Sequence, residues 1–179
     1  YLTQVKALPL RDYVPLGDNV NVGHFQACCR GHISRSEPDD DINYTILALA
    51  VLEACGGRMQ TEDVARAWLR LLPGGATFTA ERHAYAELLN RCSDGFAFGE
   101  PVGFDLEVCS DNPCSDWIGA QIRADMYGWV CPGRPEQAAQ LAEQDARLSH
   151  RGDGVWCAVF VAALGACLSP GVDLDYSVA

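Results

Sequence analysis

The chain is short of positive charge: 13 Lys and Arg stand against 24 Asp and Glu in 179 residues, a formal net charge of −11. Nucleic-acid backbones are held by clustered basic side chains, so this deficit argues against a nucleic-acid surface. No apolar run reaches the roughly 18 residues that cross a bilayer, which argues against a helical membrane span. The opening Tyr1-Leu2-Thr3-Gln4-Val5-Lys6 has neither an initiator Met nor a signal-peptide pattern. The expectation is a processed start or a piece of a longer, cytoplasmic chain. No Cys-x-x-Cys occurs among nine cysteines, so a zinc site is not expected. Cys55, Cys157 and Cys167 lie in or at the end of apolar helical stretches and read as reduced, buried thiols. The alternative, a secreted disulfide framework, favours shorter chains. Alternation of apolar and polar residues over four or more positions is absent, as are internal repeats, which leaves little room for strands or solenoids.

What is present suits one soluble globular domain over residues 1–179, with 49% apolar and 21% charged residues. Residues 1–38 carry turn formers, among them Pro9, Pro15-Leu16-Gly17-Asp18-Asn19, Gly23, Gly31 and Pro38, and read as irregular. Apolar spacing then predicts a central, buried helix over 41–54 through Ile42, Ile46, Leu49 and Leu52. Further helices are expected from Thr61, capped by that residue, to Leu72, and from about Thr79 to Cys92. After an irregular connection over 93–116, helices are expected over 117–129, 136–148 and 155–168. The last is rich in Ala158, Ala162, Ala163, Gly165 and Ala166, small residues that permit close helix contacts. The architecture this describes is all-α, an orthogonal multi-helix array with short helices and long loops.

The most pointed feature is Asp39-Asp40-Asp41, directly ahead of the first apolar helix. Adjacent carboxylates repel unless something positive lies among them. Two sources are open on the residues alone: the N–H groups and dipole of a helix N-terminus, or a divalent cation held by oxygen ligands. Gly119, near the start of the 117–129 helix, costs about 1 kcal/mol relative to Ala and so marks a close approach, to a ligand or to another helix. Arg123 has a phosphate, Asp125 or a neighbouring carboxylate open to it, with a structural ion pair the expectation, and Ser149-His150 sits in a short turn. Adjacent residues seldom align hydroxyl and imidazole, so no hydrolase dyad is expected there.

Taken in order, Asp39-Asp40-Asp41-Ile42-Asn43-Tyr44-Thr45, Asn112-Pro113, Ile118-Gly119-Ala120-Gln121-Ile122-Arg123-Ala124-Asp125, Pro132-Gly133, Ala138-Ala139, Asp145-Ala146 and Leu148-Ser149-His150 resemble the bacterial branch of the ADP-ribosylglycohydrolase family. The resemblance covers about residues 1–169. It implies an all-α domain with a binuclear Mg²⁺ or Mn²⁺ centre that hydrolyses the glycosidic bond between ADP-ribose and an acceptor such as an arginine side chain. It places metal ligands on Asp40 and Asp41, with Asp39 where Thr is commoner. It places the diphosphate cradle on Gly119, Ala120 and Gln121, and a nucleotide-side turn on Ser149 and His150. It names no general base within these residues.

The same resemblance implies a Gly-rich, acidic segment ahead of Tyr1 and an Asp-x-Asp-Thr run that completes the metal shell. Asp173-Leu174-Asp175-Tyr176 has the spacing of only the first two positions of that run. The expectation is therefore an ADP-ribosylglycohydrolase fragment, a monomer acting on ADP-ribosylated protein or a small ADP-ribosyl compound. Two alternatives accompany it: a non-catalytic ADP-ribose-binding or structural relative, and another N-glycosidic or nucleoside hydrolase on the same scaffold.

Overall fold

Asp40 and Asp41 open the first long helix, α1 (Asp40–Cys55), where carboxylates complement the free N–H groups of the first turn. The computed structural model describes residues 1–17, 23–98 and 106–171, with the backbone alone at 23–24 and 91–98. These residues fall into two units, Tyr1–Asp39 and Asp40–Ala179. The first unit is largely irregular, as its turn formers predict. It holds a 3₁₀ turn, Gly23–Cys28, and one bridge between Pro15 and Arg30, where the Arg30 N–H donates to the Val14 carbonyl at 2.9 Å. The Tyr1 hydroxyl donates to the Pro15 carbonyl and accepts from the Gly17 N–H.

The second unit is helical: after α1 come α2 (Thr61–Leu71), α3 (Thr79–Phe98), α4 (Glu107–Ser110), α5 (Asp125–Trp129), α6 (Pro135–Ala146) and α7 (Asp153–Leu168). No strand occurs among the described residues, and the fold is all-α. In α1 the buried stripe is Tyr44, Leu47, Ala48 and Val51, whereas Ile42, Ile46 and Leu49 are exposed. Of the apolar residues that nearly encircle the expected helix, Leu47 and Val51 are therefore buried and Ile42, Ile46 and Leu49 are not. Because α1 is apolar almost all round, periodicity could not choose between faces; packing against α2, α5 and the turn 118–123 chose. The N-cap of α2 is Gln60, which forms a capping box with Asp63. Thr61, the expected cap, turns its hydroxyl to the Gln144 carbonyl at 2.8 Å and ties α2 to α6.

The single helix expected over 117–129 is broken in two. Ile118–Arg123 winds as a 3₁₀ turn, and α5 follows it. Two glycines weaken an α-helix here, and the tighter winding sends the Arg123 side chain inward. Gly128 of α5 lies on α7 so closely that a Cβ would stand 2.8 Å from the Ala162 carbonyl oxygen and 3.1 Å from Gly165 Cα. The small residues of α7 thus serve the close contact their composition predicts. Since the obstructing atoms are backbone, Gly128→Ala should destabilise the protein by about 2 kcal/mol, read as a lowered urea midpoint.

Other boundaries moved as well. α3 runs on to Phe98, through residues expected to be irregular, and α4 interrupts the rest of that connection. None of the eight cysteines whose side chains are described forms a disulfide. Cys29, Cys109 and Cys131 are buried, but Cys157 is exposed on α7, contrary to the expectation of a buried thiol. Residues 173–176 lie outside the described residues.

Candidate functional site

Arg123 is the centre of a buried polar group. Its Nε donates to Asp145 Oδ1 at 2.6 Å and its Nη1 to Glu81 Oε1 at 2.9 Å. Its Nη2 donates to Ser149 Oγ at 2.9 Å and to the Asp145 carbonyl at 3.2 Å. The guanidinium lies over two aromatic faces, 5.1 Å from the Trp68 ring centroid and 5.4 Å from that of Tyr44, a cation–π arrangement that is strongest when desolvated. Burial alone would lower its pKa, but Asp145 and Glu81 outweigh burial and hold it above the ordinary value. The second oxygen of Asp145 accepts from the Tyr127 hydroxyl at 2.6 Å. Arg123 is therefore the ion-paired residue the sequence led us to expect, with partners from α3 and α6 rather than Asp125 or a phosphate.

Glu81 carries no signal in the family motifs, yet it links two of them. It stands in the first turn of α3, and only 2% of it is exposed. Its carboxylate presses on Gly119 so closely that a Cβ there would fall 2.0 Å from Oε1. The close approach marked by the glycine is thus made by a side chain of this protein. The same Oε1 lies 3.7 Å from His150 Nε2. Burial raises the Glu81 pKa against the pull of Arg123, and the charges of Asp40 and Asp145 act in the same direction as burial. Asp40 also acts on Tyr44, one helical turn along α1, whose pKa is raised chiefly by burial. The Tyr44 hydroxyl is buried without a hydrogen-bond partner among the described residues. Such an orphaned group calls for a water or a ligand atom.

Ser149 and His150 follow α6 and are both buried. Their side chains do meet, with Ser149 Oγ 2.8 Å from His150 Nδ1. The expectation that adjacent residues would not align is therefore overturned. Burial of Ser149 and its bond from Arg123 nevertheless make it a structural hydroxyl rather than an exposed nucleophile. Burial first, and the Arg123 charge second, push the His150 pKa down to about 3. Between pH 6.5 and 3 the unfolded chain binds a proton at this residue that the folded chain does not, so stability falls as pH falls. The loss is about 1.4 kcal/mol per pH unit, or about 2 kcal/mol from pH 6.5 to pH 5. Glu81, with its raised pKa, acts in the opposite sense: its contribution is present at acid pH and is lost as pH rises. Urea midpoints from pH 7 to pH 5 should therefore drop less in His150→Gln than in the wild type.

The structure places Gly119 and His150 against Glu81, and the charge of Asp40 acts on the same carboxylate from the start of α1. Ala120 is buried and Gln121 half-buried in the same 3₁₀ turn as Gly119. Asp41 is exposed in the first turn of α1, and Asp39 is the last residue of the first unit. Among the described residues no three His, Cys, Asp or Glu side chains converge as a metal cluster. The chemistry of the Asp40 and Asp41 donors, carboxylate oxygens at a helix start, fits a hard divalent cation.

A cleft of about 420 Å³ adjoins the turn, bordered by Ser110, Arg147, His150, Arg151, Gly152 and Trp156. That volume falls in the range of small-molecule sites. Arg151 is pinned there, donating to Ser110 Oγ at 3.0 Å and the Glu107 carbonyl at 2.6 Å, while the Trp156 ring stays largely exposed.

A helical scaffold of this kind, with an acidic helix start, a glycine turn and a Ser-His turn gathered about one buried arginine, agrees with one family. The family model for ADP-ribosylglycohydrolase matches residues 2–178, and the protein belongs to the ADP-ribosylglycohydrolase family. Membership supports a glycohydrolase of ADP-ribose conjugates in a family that is generally metal-dependent. No curated protein and no solved structure matches the chain.

Proposed function

We propose that the protein contributes the helical site of a metal-dependent hydrolase that cleaves the glycosidic bond between ADP-ribose and an acceptor such as an arginine side chain. The observation that carries this reading is the meeting of Gly119 and His150, from two separate family motifs, at Glu81 beside Arg123. In this reading Asp40 and Asp41, with Asp39 beside them in the chain, hold Mg²⁺ or Mn²⁺. When bound, the cation supplies Lewis acidity toward ribose hydroxyls and water. The turn 119–121 and Ser149-His150 form the surface against which the ADP-ribose moiety rests. The neutral imidazole of His150 offers hydrogen bonding without adding positive charge. The acceptor is an ADP-ribosylated protein or a small ADP-ribosyl compound, met by a monomer in the cytoplasm. No helix among the described residues is long and apolar enough to cross a membrane.

Calorimetric titration of Mn²⁺ and Mg²⁺ into this chain and into Asp40→Asn/Asp41→Asn tests the assignment, with ADP-ribosyl-arginine turnover measured in parallel. The double variant should bind at least about tenfold more weakly, the equivalent of one charge-assisted ligand contact. Equal, weak binding by both proteins would remove the metal role from these aspartates. ADP-ribose binding without turnover would make the protein a binder rather than a hydrolase.

A further inference from the structure

Among the described residues of the second unit, Glu81 is the one buried ionised group whose place neither the family motifs nor the ion pair of Arg123 with Asp145 accounts for. Asp145 already neutralises the guanidinium, accepting two of its bonds through Oδ1 and the carbonyl. A second buried carboxylate costs desolvation that a single ion pair would avoid. What Glu81 adds is contact with two other places, the bare Cα of Gly119 and the Nε2 edge of His150.

The hydrogen-bond chain and the carboxylate together set what that edge carries. Ser149 Oγ accepts from Arg123 Nη2, and its own proton is free to point at His150 Nδ1, 2.8 Å away. Nδ1 is then an acceptor, and the ring proton of a neutral imidazole resides on Nε2. An Nε2–H faces a carboxylate oxygen at 3.7 Å, whereas the other tautomer would turn a lone pair toward that negative charge. At 3.7 Å the N–H is oriented by attraction without being consumed in a hydrogen bond, and His150 Nε2 has no other partner among the described residues.

We propose that Glu81 is a positioning residue: it holds His150 in the Nε2–H form and anchors the Gly119 turn to α3, so that the two segments are kept as one rigid unit beneath the site. The consequence for ligand binding rests on the ADP-ribose reading given above; the tautomer does not. A single carboxylate thereby sets both the donor that His150 presents and the height of the 119–121 turn.

The test is long-range ¹H–¹⁵N imidazole spectroscopy of the whole chain at pH 7, with ADP-ribose as the titrated probe. Wild type should show His150 protonated at Nε2 only, and a ring protonated at Nδ1 overturns the proposal without any variant. Glu81→Leu should mix the tautomers and weaken ADP-ribose binding about tenfold, the equilibrium equivalent of one hydrogen bond. Glu81→Gln, which keeps an acceptor oxygen for Arg123 and for His150, should retain the Nε2–H form and bind within about twofold of wild type. An unchanged tautomer in Glu81→Leu overturns the assignment. Failure of wild type to bind ADP-ribose would instead overturn the functional reading, while the tautomer comparison still decides the role of Glu81. Should Glu81→Leu not fold, the wild-type spectrum remains the deciding measurement.

Discussion

Arg123→Met should be the most damaging single substitution in the helical unit, lowering stability by about 4 kcal/mol. Two carboxylates, Glu81 and Asp145, converge on this guanidinium, and all three side chains are almost wholly buried. Removing the cation leaves both carboxylates without their charge partner, and it also leaves Ser149 Oγ without its donor. The rings of Tyr44 and Trp68 lose the charge that lies over their faces. At roughly 2 to 4 °C per kcal/mol for a chain of this size, thermal unfolding should move down by about 8 to 16 °C. Arg123→Lys should recover little, because one ammonium cannot reproduce a planar fork that contacts Asp145, Glu81 and Ser149 together. A melting temperature within a few degrees of wild type for either variant would show that the three charges do not act as a unit. The family motif had drawn attention to this arginine as a possible phosphate ligand; its burial and its partners make it the hub on which the site is assembled.

The helices were legible in the sequence because apolar spacing and capping residues are local signals. Starts near Asp40, Thr61 and Thr79, and the helical stretches that became α6 and α7, needed only the neighbouring residues to be read. The buried face of α1 was not legible, since its residues are apolar on nearly every side and only a tertiary partner selects Tyr44, Leu47 and Val51 over Ile42, Ile46 and Leu49. The break between the turn 118–123 and α5 was equally tertiary: it follows from Arg123 reaching inward to groups 42 and 22 residues away in sequence.

For the site, the sequence supplied the motifs but not their meeting point. Asp40, Gly119 and His150 could be named from ordered resemblance, while Glu81, which meets Gly119 and His150, was not singled out. A signal was there. Glu81 falls in line with the buried Ala84 and Leu88, at spacings of three and seven, so it lies on the apolar stripe of its helix. A carboxylate on such a stripe requires a buried cation, and Arg123 lies on the inward side of its own turn. Asp145 repeats the pattern beside Leu141, Ala142 and Ala138 on α6. Charged residues at core-facing helical positions were thus the readable mark of the polar hub, more so than the histidine that first drew attention.

Gly119→Ala should cost about 3 kcal/mol, near the upper end for overpacking, because the obstacle is a side chain that cannot withdraw. The new Cβ would stand 2.0 Å from Oε1, 2.6 Å from Cδ and 2.7 Å from Oε2 of Glu81. An exposed carboxylate would swing aside, but this one is enclosed and bonded to Arg123 Nη1 at 2.9 Å. The collision can be relieved only by parting that ion pair or by moving the 3₁₀ turn. If Glu81 is the obstacle, shortening it should make the methyl tolerable. In a double-mutant cycle, Gly119→Ala and Glu81→Ala together should destabilise by about 2 kcal/mol less than the sum of the single changes. Strict additivity in urea unfolding would mean that backbone strain, not Glu81, excludes a side chain at position 119. The cycle also separates two reasons for the glycine. ADP-ribose affinity in the double variant equal to that of Glu81→Ala alone assigns the bare Cα to packing against α3, whereas a further loss despite recovered stability assigns it to the close passage of the ligand.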